Sequence, residues 1–410
     1  MIKTYKVRLL PNKRQKTKFF QFAGSARFAY NWALAREQEN YKSGGKFLSD
    51  YDLRKEFTQL KQDADKQWLN NVSNNVTKQA IKDAVSAYQK FFKRLSGFPN
   101  FKSKHKNSPS FYQDTDKIEF SATHVKLEKI ADSKRKNRKA QNWVRLAEKN
   151  RIPEGCKYSN PRITFDGINW WISVGIEESE VSDTQVNQSG VGIDLGIKDL
   201  AICSDGNTYK NINKSSKVKK LEKRLKRQKR KQSRIMENNI DHYTTDKNGY
   251  RYPVWKKPLN ECKNFNKQKG KVQKTYKRLS NIRQDYIHQT TAEIINREPK
   301  FICIEDLNVK GMMKNKHLSD AVAHQGFHEF RRQIEYKANW HKIPVVIADK
   351  WYPSSKTCCH CGYIKKDLKL SDRTYICPEC GNKIDRDYQA SVNLERYGEN
   401  AYKQICKSAS

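Results

Sequence analysis

Four cysteines constrain this chain most tightly. Cys358-x2-Cys361 and Cys377-x2-Cys380 are separated by fifteen residues, the spacing of two knuckles that close one tetrahedral thiolate site. Gly362 and Gly381 follow the pairs, where the chain must bend sharply. One structural Zn2+ is therefore expected here. Four thiolates leave no open coordination position, so this site should hold the fold and shape a nucleic-acid contact, and not carry a reaction. Cys359 is expected to point away, although His360 could substitute as a ligand. The remaining cysteines (Cys156, Cys203, Cys262, Cys303 and Cys406) are scattered singly, unlike a disulfide framework.

The second constraint is charge. The 410 residues carry 82 Lys+Arg against 44 Asp+Glu, a formal net charge of +38. Such an excess repels itself unless a polyanion screens it, and nucleic acid is the expected partner. The aromatic content is enough for real cores, which argues against a wholly disordered basic tail. No apolar run reaches membrane-spanning length and the start lacks a secretory core, so a cytoplasmic protein with no membrane partner is expected.

Residues 2–9 alternate like a strand. Arg14 to about Tyr41 reads as a helix with Phe19, Phe22, Ala23, Ala26, Ala29, Tyr30, Ala33 and Leu34 on one face. A second helix spans about Val76–Leu95, with Ala80, Ala84, Tyr88, Phe91, Phe92 and Leu95 apolar. Strand-like pieces follow at Lys117–Phe120, His124–Lys129, Trp143–Leu146, Arg162–Phe165 and Trp170–Ile176, with a charged loop at Ser133–Lys139. Together they suggest a small β-barrel carrying a helical insertion. Glu177–Gly190 reads as a linker. Beyond it come the strand Val191–Gly196, a hairpin turning at Asp205-Gly206, long helices over Lys217–Met236 and Lys267–Glu298, and a polar tip around Asp246–Pro258 between them. The strand Phe301–Glu305, a helix Phe327–His341, the strand Pro344–Asp349 and a last helix near Asp387 complete the pattern. This order resembles the ribonuclease-H architecture.

Three carboxylates stand out by position. Asp194 lies inside the apolar strand VGIDLG, Glu305 ends the strand FICIE, and Asp387 opens the last helix in DRD. A carboxylate embedded in a buried strand is costly without a compensating cation. A pair of Mg2+ (or Mn2+) ions would supply that compensation and clamp a phosphodiester. Singly, Glu305 also reads as a surface strand end, Asp385 and Asp387 as helix caps, and VGIDLG as the opening of an actin-like ATPase, though Ile197-Lys198-Asp199 is no phosphate loop. Lys223, Arg224, Arg227 and Arg230 belong to a dense basic run from Lys217 to Lys231 that calls for phosphates nearby.

IEDLNVKGM (304–312), EYKANW (335–340), PSSKTC (353–358), the cysteine knuckles and DRDYQASVN (385–393), with YKVRLLPNKRQ (5–15), GSARFAYNWAL (24–34) and GFPNFKSK (97–104), resemble the TnpB family. TnpB proteins are RNA-guided DNA endonucleases encoded by insertion sequences and related to type V CRISPR effectors. The resemblance spans almost the whole chain. It implies a RuvC-type nuclease domain of RNase H-like fold over 181–350 and 385–398, and a zinc-ribbon insertion over 351–384. It further implies a wedge β-barrel over 1–10 and 97–180, a helical recognition domain over 11–96 and a tail over 399–410. Asp194, Glu305 and Asp387 would be the catalytic and Mg2+-binding triad, with Asp385 outside it. The implied partners are a guide RNA and double-stranded target DNA with a short adjacent motif. The implied setting is a prokaryotic nucleoid, and the implied state a monomer or asymmetric dimer. Asn74, Asn75 and Lys78, with Arg54 and Asp50 nearby, are candidates to read the adjacent motif, while a helix cap is the plainer role for Asn74. Gln389 and Ser391 stand where the family usually has Asn and Ala, and Cys359 where Ser is common. The family also contains nuclease-dead relatives, so an RNA-guided repressor is the rival that an intact triad opposes. A transposase or resolvase of the same fold is the third reading.

Overall fold

In a computed structural model of the chain, the described residues are 2–104, 106–131, 142–178, 189–369 and 371–409. The loop expected at Ser133–Lys139 and most of the linker expected at Glu177–Gly190 lie outside them. The chain divides into two compact units, residues 1–179 and 180–410.

In the first unit, β1 (Ile2–Leu10) leads into α1 (Lys13–Lys42), which is opened by a capping box between Asn12 and Gln15. All eight apolar positions read from the sequence of α1 are buried. Phe19 and Phe22 pack against Phe111, and Phe19 also meets Trp170 edge-on at 5.1 Å. Next come α2 (Asp50–Leu60), a 3-10 turn over Ala64–Asn71, and α3 (Asn74–Phe92). The helix expected to reach Leu95 ends at Phe92, and Phe92 and Leu95 are exposed instead of buried. Arg94 turns into the left-handed region there, and Phe92 packs at the surface on the rings of Phe47, Tyr88 and Phe91.

The unit is completed by β2 (Ser110–Tyr112), β3 (Glu119–Phe120), β4 (His124–Lys126), β5 (Trp143–Leu146), β6 (Tyr158–Phe165) and β7 (Trp170–Glu177). They form one antiparallel sheet in the order β2-β6-β7-β1-β5-β4-β3. Alternating Val7 and Leu9 face a core shared with Ile163, Ile172 and Val174.

The second unit is built on β8 (Val191–Leu195), β9 (Asp199–Cys203), β10 (Thr208–Lys210), β13 (Ile302–Ile304) and β14 (Val345–Ile347), ordered β10-β9-β8-β13-β14. The first three pair antiparallel, and β13 runs parallel to both β8 and β14. Between β10 and β13, α4 (Ser216–Glu237) and α5 (Lys263–Asn296) pack on each other and enclose a hairpin of β11 (Ile240–Thr245) and β12 (Arg251–Trp255). The polar tip expected there is this hairpin. Short α6 (Val309–Met313) and α7 (Ser319–Gln325) precede α8 (Phe327–Trp340). β15 (Thr374–Ile376) and β16 (Lys383–Asp385) lead into α9 (Arg386–Ala409), which continues unbroken past residue 399. Among the described residues no helix is long and apolar enough to cross a membrane.

Candidate functional site

Backbone contact seats the last helix on the sheet. A Cβ on Gly192 of β8 would lie 2.0 Å from the Ser391 carbonyl oxygen and 2.3 Å from the Glu395 nitrogen of α9. A Cβ on Gly398 would lie 2.7 Å from Cys303 Cβ on β13. Glycine at both points lets α9 lie against β8 and β13.

That seating gathers the three carboxylates. Asp194 leaves β8 just before its last residue, Glu305 follows the last residue of β13, and Asp387 is in the first turn of α9. β8 and β13 run parallel with Ile193 opposite Ile304, so Asp194 and Glu305 emerge at the same end of adjacent strands. The Leu195 backbone N–H donates to Glu305 Oε1 at 2.9 Å. Burial, then Glu305 and Asp387 as like charges, hold the Asp194 carboxyl well above the usual carboxylate range. Burial likewise pushes Glu305 up to about 7, against the Leu195 hydrogen bond and with a further push from Asp387. Asp387 is paired with Arg386 at 2.9 Å and Arg373 at 3.5 Å. Asp385 plays a different part: its Oδ1 accepts from the N–H groups of Asp387 and Tyr388, so it caps α9.

Two carboxylates with raised proton affinity, beside a third that is paired with two arginines, offer a set of oxygen donors. That donor set fits hard divalent cations.

The four knuckle cysteines converge, with their sulfurs within 4.8 Å of one another. Cys358 and Cys380 sulfurs lie 3.6 Å apart, and those of Cys361 and Cys377 3.5 Å apart. Tetrahedral Zn–S bonds of ~2.3 Å put sulfurs a little under ~4 Å apart, so the cluster fits a structural zinc. The two halves match: Cys358 N–H donates to Tyr363 O and Gly362 N–H returns to Cys358 O, while Cys377 N–H donates to Asn382 O and Gly381 N–H returns to Cys377 O. Gly362 and Gly381 have φ of 81° and 72°. Cys359 and His360 are not in the cluster.

The ribbon is fastened to α9. Asn393 donates to the carbonyls of Ser354 and Thr357 at 2.8 and 2.7 Å. Gln389, fully buried, donates to Ser355 O and accepts from Cys359 N–H, both at 3.4 Å. The sequence alone did not single out Gly192, Asn393 or Arg373. A glycine two residues before a strand carboxylate was the signal that could have found the first.

Lys223, Arg224, Arg227 and Arg230 are all exposed on α4. The basic run does not cover every face of α4. Val218, Leu221, Leu225 and Gln228 form a stripe toward α5, where Gln228 bonds both Gln268 and Thr275. In the first unit, Ser73 and not Asn74 caps α3, by accepting from Asn75 N–H. Asn74 Oδ1 accepts from Lys61 Nζ, and Asn75 Nδ2 donates to Asp114 and Glu128. Arg54 is folded back on Asp50, whereas Lys78 is exposed.

Comparison with known proteins supplies the wider setting. Residues 172–316 match the OrfB_IS605 family model described as "Probable transposase", residues 1–46 its helix-turn-helix companion, and residues 327–394 the Cas12f1-like TNB domain. The Escherichia coli protein named "Putative RNA-guided DNA endonuclease InsQ" is 27% identical over 408 residues, covering 96% of this chain and 91% of its own. A TnpB-like protein of Acanthamoeba polyphaga mimivirus is 30% identical over 148 residues, 35% of this chain and 28% of its own. The chain belongs to the TnpB family. Its fold also resembles that of Cas12f1 in a cryo-EM complex with guide RNA and target DNA, at a TM-score of 0.58 and 13% identity, covering 96% of this chain and 98% of the other. Within this TnpB-family chain, the matched TNB segment holds all four cysteines and Asp387, and the matched transposase segment holds Asp194 and Glu305. Ser391, where the family usually has Ala, is fully buried and returns its hydroxyl to Tyr388 O at 2.7 Å.

Proposed function

We propose that this TnpB-family chain is an RNA-guided DNA endonuclease. The observation that carries the reading is the meeting of Asp194, Glu305 and Asp387 from three separate elements, with burial and like-charge repulsion raising the proton affinity of the first two. Three antiparallel strands followed by two parallel ones support an RNase H-like, RuvC-type domain over 181–350 and 385–398, with the zinc ribbon inserted at 351–384. The antiparallel sheet with its helices supports a wedge barrel over 1–10 and 97–180 and a recognition domain over 11–96. The names of the relatives support RNA guidance and DNA cleavage.

Two Mg2+ or Mn2+ ions held by the triad would supply a water nucleophile and charge stabilisation for in-line phosphodiester hydrolysis. The protein's own part is orientation. Leu195 N–H fixes the Glu305 carboxylate, the parallel register sets Asp194 beside it, and Arg386 and Arg373 hold Asp387 at the helix start. The exposed cations of α4 bind guide RNA phosphates, and pairing to the guide reads the target.

The test is to purify the full chain from cells, sequence any bound RNA, and assay cleavage of matching duplex DNA with Mg2+. A discrete RNA and guided cleavage that Asp194→Ala and Glu305→Ala both abolish, with RNA binding retained, is expected. Absence of a discrete RNA defeats guidance, and cleavage surviving both substitutions defeats the site.

A further inference from the structure

The GSARFAYNWAL segment has no part in the nuclease centre, and it lines a cavity of about 670 Å3 in the first unit. Phe28, Trp32, Trp68 and Phe101 contribute aromatic walls, and Arg27 and Gly24 also border the space. Phe28 meets Trp68 edge-on at 5.4 Å and Trp32 meets Phe57 edge-on at 5.0 Å, which braces the rings. Trp68 is nonetheless 44% and Phe101 52% exposed, so large apolar faces stay open.

Two features of this wall need a reason beyond packing. Gly24 sits in the interior of a thirty-residue helix, where glycine is the least favoured residue after proline. Nothing lies within 4 Å of where its Cβ would be, so no close approach requires it. Its effect is to leave the cavity wall open. Arg27 is only partly exposed, and among the described residues it makes no hydrogen bond or ion pair. The carboxylate of a neighbouring cleft that Arg27 also borders, Asp83, is already gripped by Arg162 through both oxygens. A half-buried guanidinium without a carboxylate is a site for an external anion.

We propose that this cavity receives an unpaired nucleobase of the guide RNA, stacked on the Trp68 side, with Arg27 taking the adjoining phosphate. The inference rests on the RNA-guided reading above and names a new contact within it. Aromatic walls beside an unpaired arginine match the two halves of a nucleotide, and a +38 chain offers the polyanion the matching charge. RNA is the source because proteins read RNA chiefly through splayed, unpaired bases, while the target DNA arrives as duplex.

The test uses the full-length protein without copurified RNA, at elevated salt so that simple phosphate binding is suppressed. The probes are a short uridine oligomer, the same oligomer with abasic positions, and its DNA counterpart. Gly24→Leu fills the cavity from a spot with free space, keeps every aromatic ring, and removes a helix-interior glycine. It is expected to melt no lower than wild type yet bind the uridine oligomer roughly tenfold more weakly. Trp68→Ala should weaken binding similarly, and Arg27→Gln should weaken binding of uridine and abasic oligomers alike. The abasic oligomer should bind wild type weakly and be indifferent to Gly24→Leu. Wild-type protein that binds RNA but tolerates Gly24→Leu within twofold overturns the cavity assignment alone. Equal binding of the abasic oligomer overturns the base. Tighter binding of the DNA oligomer, abolished by Gly24→Leu, overturns RNA as the occupant. Wild-type protein that binds no RNA overturns the guided reading, and this pocket falls with it.

Discussion

The backbone N–H of Leu195 donates to the Glu305 carboxylate at 2.9 Å, so the residue beside Asp194 fixes the second acidic group of the cluster. One hydrogen bond thus ties the strand that bears Asp194 to the Glu305 carboxylate. Glu305→Gln keeps an oxygen for that bond and removes one negative charge. Cleavage should fall at least a hundredfold, with melting unchanged or raised, because a buried like charge is gone. Side-by-side cleavage assays and thermal melts check this; a large drop in melting would mean the carboxylate serves the fold.

Gly192→Ala should separate seating from chemistry. The new Cβ collides with the α9 backbone at Ser391 and Glu395, neither of which can swing away as a side chain would. A loss of roughly 1–3 kcal/mol is expected, with cleavage reduced and RNA affinity kept. Denaturant unfolding and RNA binding on one preparation decide it. Wild-type stability in the variant would show that α9 does not rest where it lies here.

Zinc should matter beyond its own knuckles, because Asn393 ties Ser354 and Thr357 to the helix that bears Asp387. Cys377→Ser is expected to lose metal on elemental analysis and to lower both the melting temperature and cleavage. Asn393→Ala, which strands two carbonyls, should cost about 1–3 kcal/mol while retaining zinc. A Cys377→Ser protein that melts like wild type would count against a structural metal.

The exposed arginines of α4 should act through phosphate alone. Arg224→Gln, Arg227→Gln and Arg230→Gln together are expected to leave melting unchanged and weaken guide binding. The slope of log affinity against log salt should become shallower by ~0.7 for each phosphate that is no longer neutralised. An unchanged slope would remove α4 from the RNA interface.

Lys337 offers a pH test remote from the carboxylates. Buried between α5 and α8, it donates to His288 O and Thr291 Oγ1, and burial lowers its amine to about 8. Between pH 8 and the unfolded value near 10.5, the unfolded chain binds more protons, so stability rises with pH. Lys337→Met should lack that rise, as melts from about pH 7.5 to about pH 10 will show. Parallel curves for the two proteins would refute it.

What the sequence made legible follows from local chemistry. Periodicity placed the buried face of α1 at every position, and ligand spacing placed the four converging cysteines, because both signals lie within a short stretch. Asp194, Glu305 and Asp387 were legible as costly carboxylates, and the strand register and the seating of α9 gather them at one end of the sheet. Partners set by tertiary packing were not legible. The stripe that turns α4 toward α5 hides among lysines, and the hairpin at 240–255 is held by cross-strand pairing that polar composition does not announce. Phe92 is the last residue of α3 and Leu95 lies beyond its end, so pattern alone misplaced both as buried. The internal partners of Asn74 and Asn75, namely Lys61, Asp114 and Glu128, left no local signal because they are distant in sequence.

The placement of Asp387 on α9 has a consequence for synthesis. Asp194 and Glu305 are translated first, and roughly 190 residues separate Asp194 from Asp387. At ~5–20 residues per second, a ribosome needs about 10–40 s to cross that interval. During it the nascent chain has β8 uncovered by α9 and only part of its acidic cluster. A growing chain therefore holds an incomplete acidic cluster until its final helix docks.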